Sequence, residues 1–165
     1  MIKLFLTDVD GTLTDGGRIL DADGKESKRF YIPDGTALVT LRSLGIQTGI
    51  FTAEKGPVIQ LRARQLKMDH VVIDCHNKLT ELGRLCEQLK ITPKEVAFIG
   101  DDLNDYSILS AVGERACPAD AQDIIKKIPG IRVMKRAGGY GAVREFINDL
   151  VGEETLLKTW ISEHP

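Results

Sequence analysis

The densest chemistry in this chain stands near its start. A hydrophobic run, Ile2-Lys3-Leu4-Phe5-Leu6, leads into Thr7-Asp8-Val9-Asp10-Gly11-Thr12. Asp8 and Asp10 are two residues apart, a spacing that sends both side chains to one face of an extended segment. Gly11 then lets the backbone turn sharply and approach a bound group closely. Two carboxylates so placed form a pocket for a hard cation such as Mg2+. One can act as nucleophile and the other as general acid and base. Taken alone, an Asp-x-Asp-Gly string is equally well a turn, because both residue types favour turns.

Three other features fall where apolar runs end. Thr52 follows Gly45-Ile46-Gln47-Thr48-Gly49-Ile50-Phe51 and carries a hydroxyl able to donate to a phosphate oxygen. Lys78 stands near an expected helix start. A cation there opposes the helix dipole, which makes sense if it faces a phosphate and Asp8. Gly100-Asp101-Asp102-Leu103-Asn104-Asp105 follows the run Val96 to Ile99. Three clustered acids repel one another unless a cation joins them. Acids at a helix N-terminus are the plainer explanation, but the position after a buried strand favours metal binding.

These residues need a scaffold that gathers strand ends. Short β-branched runs recur at 2–6, 46–51, 71–73, 96–99 and 131–134 and read as buried strands. Apolar residues at helical spacing lie between them: Leu38, Leu41 and Leu44, with Asp34 as expected N-cap; Val58, Leu61 and Leu66 after Pro57; and Leu79, Leu82, Leu85, Cys86 and Leu89. Shorter helices are expected at Ile108-Leu109 and Ile124 to Ile128, and another over Val143 to Leu150. Thr92-Pro93-Lys94-Glu95 fits a capping box with room for only one turn, a short 3₁₀ segment. Alternation of this kind predicts an α/β fold, a doubly wound Rossmann-like parallel sheet with helices on both faces. Such sheets bind ligands at the carboxyl ends of their strands. Residues 15–32 break the rhythm and read as a β-hairpin, too short for a cap domain. The segment 152–165 is weakly patterned, either a mobile end or a docking arm.

The 165 residues suit a single domain, 1–165, with a sizeable core. A net charge of -2 and no basic stripe argue against nucleic acid as a partner. No run is long enough to span a membrane, and the N-terminus lacks a signal-peptide layout, so a cytoplasmic protein is expected. Cys75, Cys86 and Cys117 form no C-x-x-C pair and are expected as buried free thiols. Cys75-His76 resembles a nucleophile-base pair, yet sequence neighbours on a strand face opposite ways, so packing is the expectation.

In order and spacing, Asp8-Val9-Asp10-Gly11-Thr12, Thr52, Lys78 and Gly100 to Asp105 resemble the four motifs of the haloacid dehalogenase superfamily of phosphohydrolases. Thr14-Asp15-Gly16, Tyr31 to Gly35, Pro118 to Ala121 and Gly138 to Phe146 resemble its small capless branch, which acts on phosphorylated 2-keto-3-deoxy sugar acids. The resemblance implies a Mg2+-dependent phosphatase working through an aspartyl-phosphate. Asp8 would be the nucleophile and Asp10 the acid and base. The cation would be held by the Asp8 carboxylate, the Asp10 backbone carbonyl and Asp101. Thr52 and Lys78 would bind the phosphoryl oxygens, and Asp102 would support the metal's waters or orient Lys78, with Asp105 a more distant helper.

It further implies a homotetramer built on the hairpin. The Gly138-Gly139 loop would lie at the site mouth, touching substrate, with Arg144 as its anchor. The implied substrate is 3-deoxy-D-manno-octulosonate (KDO) 8-phosphate, placing the enzyme in lipopolysaccharide sugar synthesis. Where many of these enzymes carry Gly-Arg after the motif threonine, this chain has Ala53-Glu54. Glu54, a candidate for sugar hydroxyls, resembles instead the enzymes of 2-keto-3-deoxynonulosonate (KDN) 9-phosphate, but Gln65 departs from their lysine. A non-catalytic oligomerisation module of sugar-nucleotide synthesis is the rival from another class, and a broad-range phosphatase of the same fold is a third reading.

Overall fold

A computed structural model describes residues 1–164. Six strands make one sheet: β1 (Leu4–Thr7), β4 (Gln47–Phe51), β5 (His70–Val72), β6 (Val96–Ile99), β7 (Glu114–Cys117) and β8 (Arg132–Val133), in the order β5-β4-β1-β6-β7-β8. Every pairing is parallel. A separate antiparallel ribbon joins β2 (Ile19–Leu20) to β3 (Glu26–Ser27), the expected hairpin. Among the described residues no cap domain interrupts the core.

The strand order explains where the chemistry sits. From β1 the chain builds outward through β4 and β5, then returns to the other side of β1 and builds through β6, β7 and β8. The reversal lies between β1 and β6, where open α/β sheets leave a crevice at their carboxyl ends. Thr7 pairs with both Ile50 and Ile99, so Asp8 and Gly100 leave the sheet side by side.

Alternation along β1 divides the core. Phe5 joins one cluster with Leu38, Ile50, Ile99 and Phe146, while Leu4 and Leu6 join another with Phe51, Leu82, Phe98 and Ile108, as the two-residue period of a strand requires. Helices α1 (Ile32–Ser43), α2 (Pro57–Gln65), α6 (Ala142–Val151) and α7 (Glu153–Glu163) cover the first face. Helices α3 (Lys78–Leu89), α4 (Tyr106–Ala111) and α5 (Asp123–Lys126) cover the second. A 3₁₀ turn with a capping box spans Pro93–Glu95.

Two expectations are corrected, and one strand is added. Asp34 is not the cap of α1: Pro33 lies in the first turn, Tyr31 is the N-cap, and the Asp34 side chain turns inward to accept the Arg144 backbone N–H at 2.8 Å. Glu114-Arg115-Ala116-Cys117 is a strand that its lack of a β-branched run concealed. Finally, residues 153–163 form a helix, with Leu156 buried in the first core cluster. No helix among the described residues is long and apolar enough to cross a membrane.

Candidate active site

The acid loop is locked from several sides. The Asp8 N–H extends the β1–β6 ladder to Ile99 O at 3.0 Å. Gly11 has φ +86°, and a Cβ there would fall 2.1 Å from Asp101 Oδ2. A glycine at 11 is therefore what allows the two acid-bearing loops to meet. Thr12 Oγ1 donates to Asp101 Oδ1 at 2.9 Å, completing the contact.

Lys78 supplies the cation among these acids. Its Nζ lies 2.8 Å from Asp8 Oδ1 and 2.6 Å from Asp105 Oδ1, with its side chain 1% exposed. Local sequence places it there: the Asn77 side chain caps α3 by accepting the Thr80 N–H, so Lys78 begins the helix beside β1. Asp105, wholly buried, also accepts the Asp101 and Asp102 backbone N–H groups on Oδ2 at 2.9 and 3.3 Å. One carboxylate thus orients the lysine and ties the 100–105 loop. The orienting role, one of the two expected of Asp102 beside support of the metal's waters, falls to Asp105. Asp102 is exposed, and its Oδ1 accepts the Leu103 N–H at 2.7 Å, a helix-cap contact. The signal for Asp105 is its place at the fourth position of a tight turn, where a carboxylate reaches back to the N–H groups that open it.

Burial and neighbouring charge set the protonation of this centre. Burial, then the nearby Asp105, pushes the Asp8 carboxyl well above the usual carboxylate range, against the opposing pull of Lys78. Burial pushes Asp101 up to about 7; the Thr12 hydrogen bond pulls the other way, and Asp105 and Asp102 add to the rise. Burial disfavours the charged Lys78, but Asp8 and Asp105 outweigh it and raise its pKa above the ordinary value. Three carboxylates and one ammonium leave negative charge uncompensated, the condition under which a divalent cation is favoured.

The donor set fits Mg2+. Asp8, Asp101 and Asp105 each offer an oxygen within 4.8 Å of the others. Both Asp105 oxygens are already engaged, so Asp8 and Asp101 carry the oxygens available to a hard ion.

The other expected residues are distributed as follows. Thr52 is buried at the end of β4, and its Oγ1 accepts the Glu54 N–H at 3.2 Å, leaving its O–H free to donate. Asp10 Oδ1 accepts from Lys28 Nζ at 2.5 Å, while its Oδ2 is buried without a hydrogen-bond partner among the described residues. Glu54 Oε1 lies 2.7 Å from Arg18 Nη2, tying it to the hairpin. Gly138 and Gly139 are buried rather than open to a ligand. A Cβ on Gly138 would fall 1.9 Å from Gly11 O, and one on Gly139 2.5 Å from Asp15 N. Close packing on the acid loop accounts for them. Their loop is held by Arg29, which donates to Gly139 O at 3.2 Å and stacks 4.3 Å from the Tyr140 ring, and not by Arg144. Arg144 instead holds Asn148 through its Nε at 2.9 Å. A cavity of about 460 Å³ opens beside Tyr31, Arg136 and Arg144, but Asp8, Asp10, Asp101 and Asp105 do not line it. Cys75 is buried while His76 turns outward to Asp74 Oδ1 at 2.9 Å, so the two form no reactive pair.

Comparison with known proteins agrees with this geometry. Residues 53–130 match the model of the haloacid dehalogenase-like hydrolase family. The chain is 37% identical over 145 residues to the KDO 8-phosphate phosphatase KdsC of Escherichia coli K12, covering 87% of this chain and 76% of that protein. The Moraxella catarrhalis KDO 8-phosphate phosphatase, solved with magnesium ion, phosphate ion and KDO, superposes with a TM-score of 0.91 at 32% identity, over 99% of this chain and 94% of that one. The Yersinia pestis KDO 8-phosphate phosphatase gives 0.89 at 32% identity, over 94% and 84%. An Asp8-centred acid pair, a buried lysine and a second acid loop, on a sheet superposing this closely, make the chain a member of the haloacid dehalogenase-like hydrolases, in their capless, KDO 8-phosphate phosphatase-like branch.

Proposed function

We propose that this protein is a Mg2+-dependent phosphomonoesterase that releases the terminal phosphate of KDO 8-phosphate. The observation that carries the reading is the contact of Lys78 with both Asp8 and Asp105, set against Asp101. That arrangement binds a phosphoryl group beside a nucleophile.

The Asp8 carboxylate attacks phosphorus, and the bond from phosphorus to the sugar's terminal oxygen breaks. Asp10 gives its proton to that departing oxygen. Water then attacks the aspartyl-phosphate, Asp10 takes the water's proton, and the bond from phosphorus to the Asp8 oxygen breaks. Lys78 and the Thr52 hydroxyl hold the phosphoryl oxygens, and Lys78 offsets their repulsion from Asp8. The Asp8 carboxylate, the Asp10 backbone carbonyl and Asp101 would hold Mg2+, which when bound neutralises charge on the phosphoryl oxygens.

The nine-carbon KDN 9-phosphate is the second reading, favoured by Glu54, the departure from the Gly-Arg of the eight-carbon enzymes. The intact set Asp8, Asp10, Lys78 and Asp101 argues against a non-catalytic module. The hairpin exposes Ile19 and Leu20 by 58% and 57%. Apolar exposure on so short a ribbon supports its use in a homotetramer. Three buried free thiols suit a reducing cytoplasm.

The deciding experiment is kcat/KM for the two sugar-acid phosphates side by side with Mg2+. A preference of tenfold or more, about 1.4 kcal/mol in the transition state, assigns the substrate. No turnover of either, unchanged by chelation, would overturn the phosphatase reading. Light scattering after gel filtration tests the tetramer.

A further inference from the structure

The hairpin carries a lysine that the mechanism above does not use. Lys28 lies just past β3, on a ribbon whose other residues mostly face solvent, yet its side chain is 2% exposed. Its Nζ stands 2.5 Å from Asp10 Oδ1 and 3.1 Å from Glu26 Oε1. Burying a lysine this fully is costly without such partners. Glu26 in turn lies 3.3 Å from Arg18 Nε, and Arg18 reaches Glu54 at 2.7 Å. An unbroken file of alternating charge therefore runs from Glu54 through the hairpin to the side chain that exchanges protons.

An aspartate on a loop has two equivalent oxygens and a free χ2 rotation. A general acid works only when one particular oxygen faces the leaving group. Lys28 removes that degeneracy. Its ammonium has three donors and no acceptor, so the oxygen it holds, Oδ1, is committed as an acceptor. Asp10 Oδ2 has no hydrogen-bond partner among the described residues, so Lys28 alone sets the orientation of the carboxylate.

Resting on the assignment of Asp10 as general acid, we propose that Lys28 is its positioning residue: anchored by Glu26, it fixes the orientation of the Asp10 carboxylate. Lys28 touches no reacting atom in this scheme.

The test uses two substrates that differ in their need for an acid. An alkyl phosphate such as KDO 8-phosphate must have its leaving oxygen protonated, whereas the nitrophenolate of p-nitrophenyl phosphate leaves unaided. Lys28→Met is expected to lower kcat/KM for the sugar phosphate by about 10²-fold, within the range of general acid catalysis. The ratio of its kcat/KM to that of p-nitrophenyl phosphate should fall at least tenfold. Lys28→Arg, which keeps the donor, should restore part of that ratio. Should Lys28→Met fail to fold, Lys28→Leu reads the same ratio. An equal fall on both substrates would mean a general packing defect and would sink the proposal, as would no fall. Asp10→Asn separates the two levels of inference. If it too lowers both substrates equally, the acid assignment fails. If it is selective and the Lys28 variants are not, only the role of Lys28 fails.

Discussion

Asp105 and Asp34 are both buried aspartates, 0% and 1% exposed, and the protein treats them in opposite ways. Asp105 meets the Lys78 ammonium with one oxygen and two backbone N–H groups with the other. Asp34, wedged between α1 and α6, has the Arg144 N–H on one oxygen and no partner on the other among the described residues. Burial pushes its pKa up to about 6, against the weaker pull of the Arg144 N–H and nearby arginines. A buried carboxylate oxygen without a partner favours the neutral form. Asp105 has both oxygens engaged, whereas Asp34, in the α1–α6 seam, has only one engaged among the described residues.

Asp8→Asn breaks the active centre most severely, removing the nucleophile from a cluster whose shape it keeps. Turnover should drop by about 10⁴-fold or more, with an unchanged circular dichroism spectrum. Substantial residual activity would overturn the nucleophile assignment.

Removing the cation comes next. Chelation with EDTA should cost about 10³-fold in rate, several kcal/mol of charge stabilisation, and added Mg2+ should restore it. Mg2+ should also raise the melting temperature, and this effect should fade as pH falls through about 7, where protons compete for Asp101. A Mg2+ effect on melting that is independent of pH would contradict the role of Asp101.

Asp105→Asn sharpens the comparison. It leaves Lys78 with Asp8 alone, and breaking a buried pair costs about 3 kcal/mol of stability. A loss of about 10²-fold in kcat/KM should accompany it, because Lys78 loses its orientation. Asp102→Asn, at an exposed cap, should change neither by more than about 0.5 kcal/mol or threefold.

Asp34→Asn tests the other side. The folded state raises this group from 3.8 to about 6. Whatever stability Asp34 contributes is therefore whole below about pH 4 and lost as pH climbs through about 6. Asn keeps the acceptor for Arg144 and has no charge to bury. Its melting temperature relative to wild type should rise between pH 5 and pH 8, by the equivalent of up to about 2 kcal/mol. A difference that is flat with pH would show that Asp34 is paired in some other way.

The sequence displayed the site better than it displayed the supports of the site. Asp8, Thr52, Lys78 and Asp101 were legible because each stands where an apolar run stops, and a parallel sheet gathers such stops at one edge. Lys28 was not, because a lysine on a polar ribbon looks solvated until the ribbon is seen folded against Asp10. Asp105 was undervalued because two of its three partners are backbone N–H groups, which no side-chain pattern announces. β7 lacked the β-branched run that marks the other strands, and being paired on both sides it did not need one. In α7 a single buried leucine, Leu156, gives too faint a period to read.

Gly11, Gly138 and Gly139 meet backbone to backbone or backbone to carboxylate, with no room for a methyl group. In a saturation scan these three positions should reject every substitution, alanine included, as absolutely as Asp8 does. Intolerance alone would score them as chemistry. What distinguishes them is the manner of failure: a nucleophile variant accumulates as folded, inert protein, whereas a side chain at any of these glycines should deplete the protein itself.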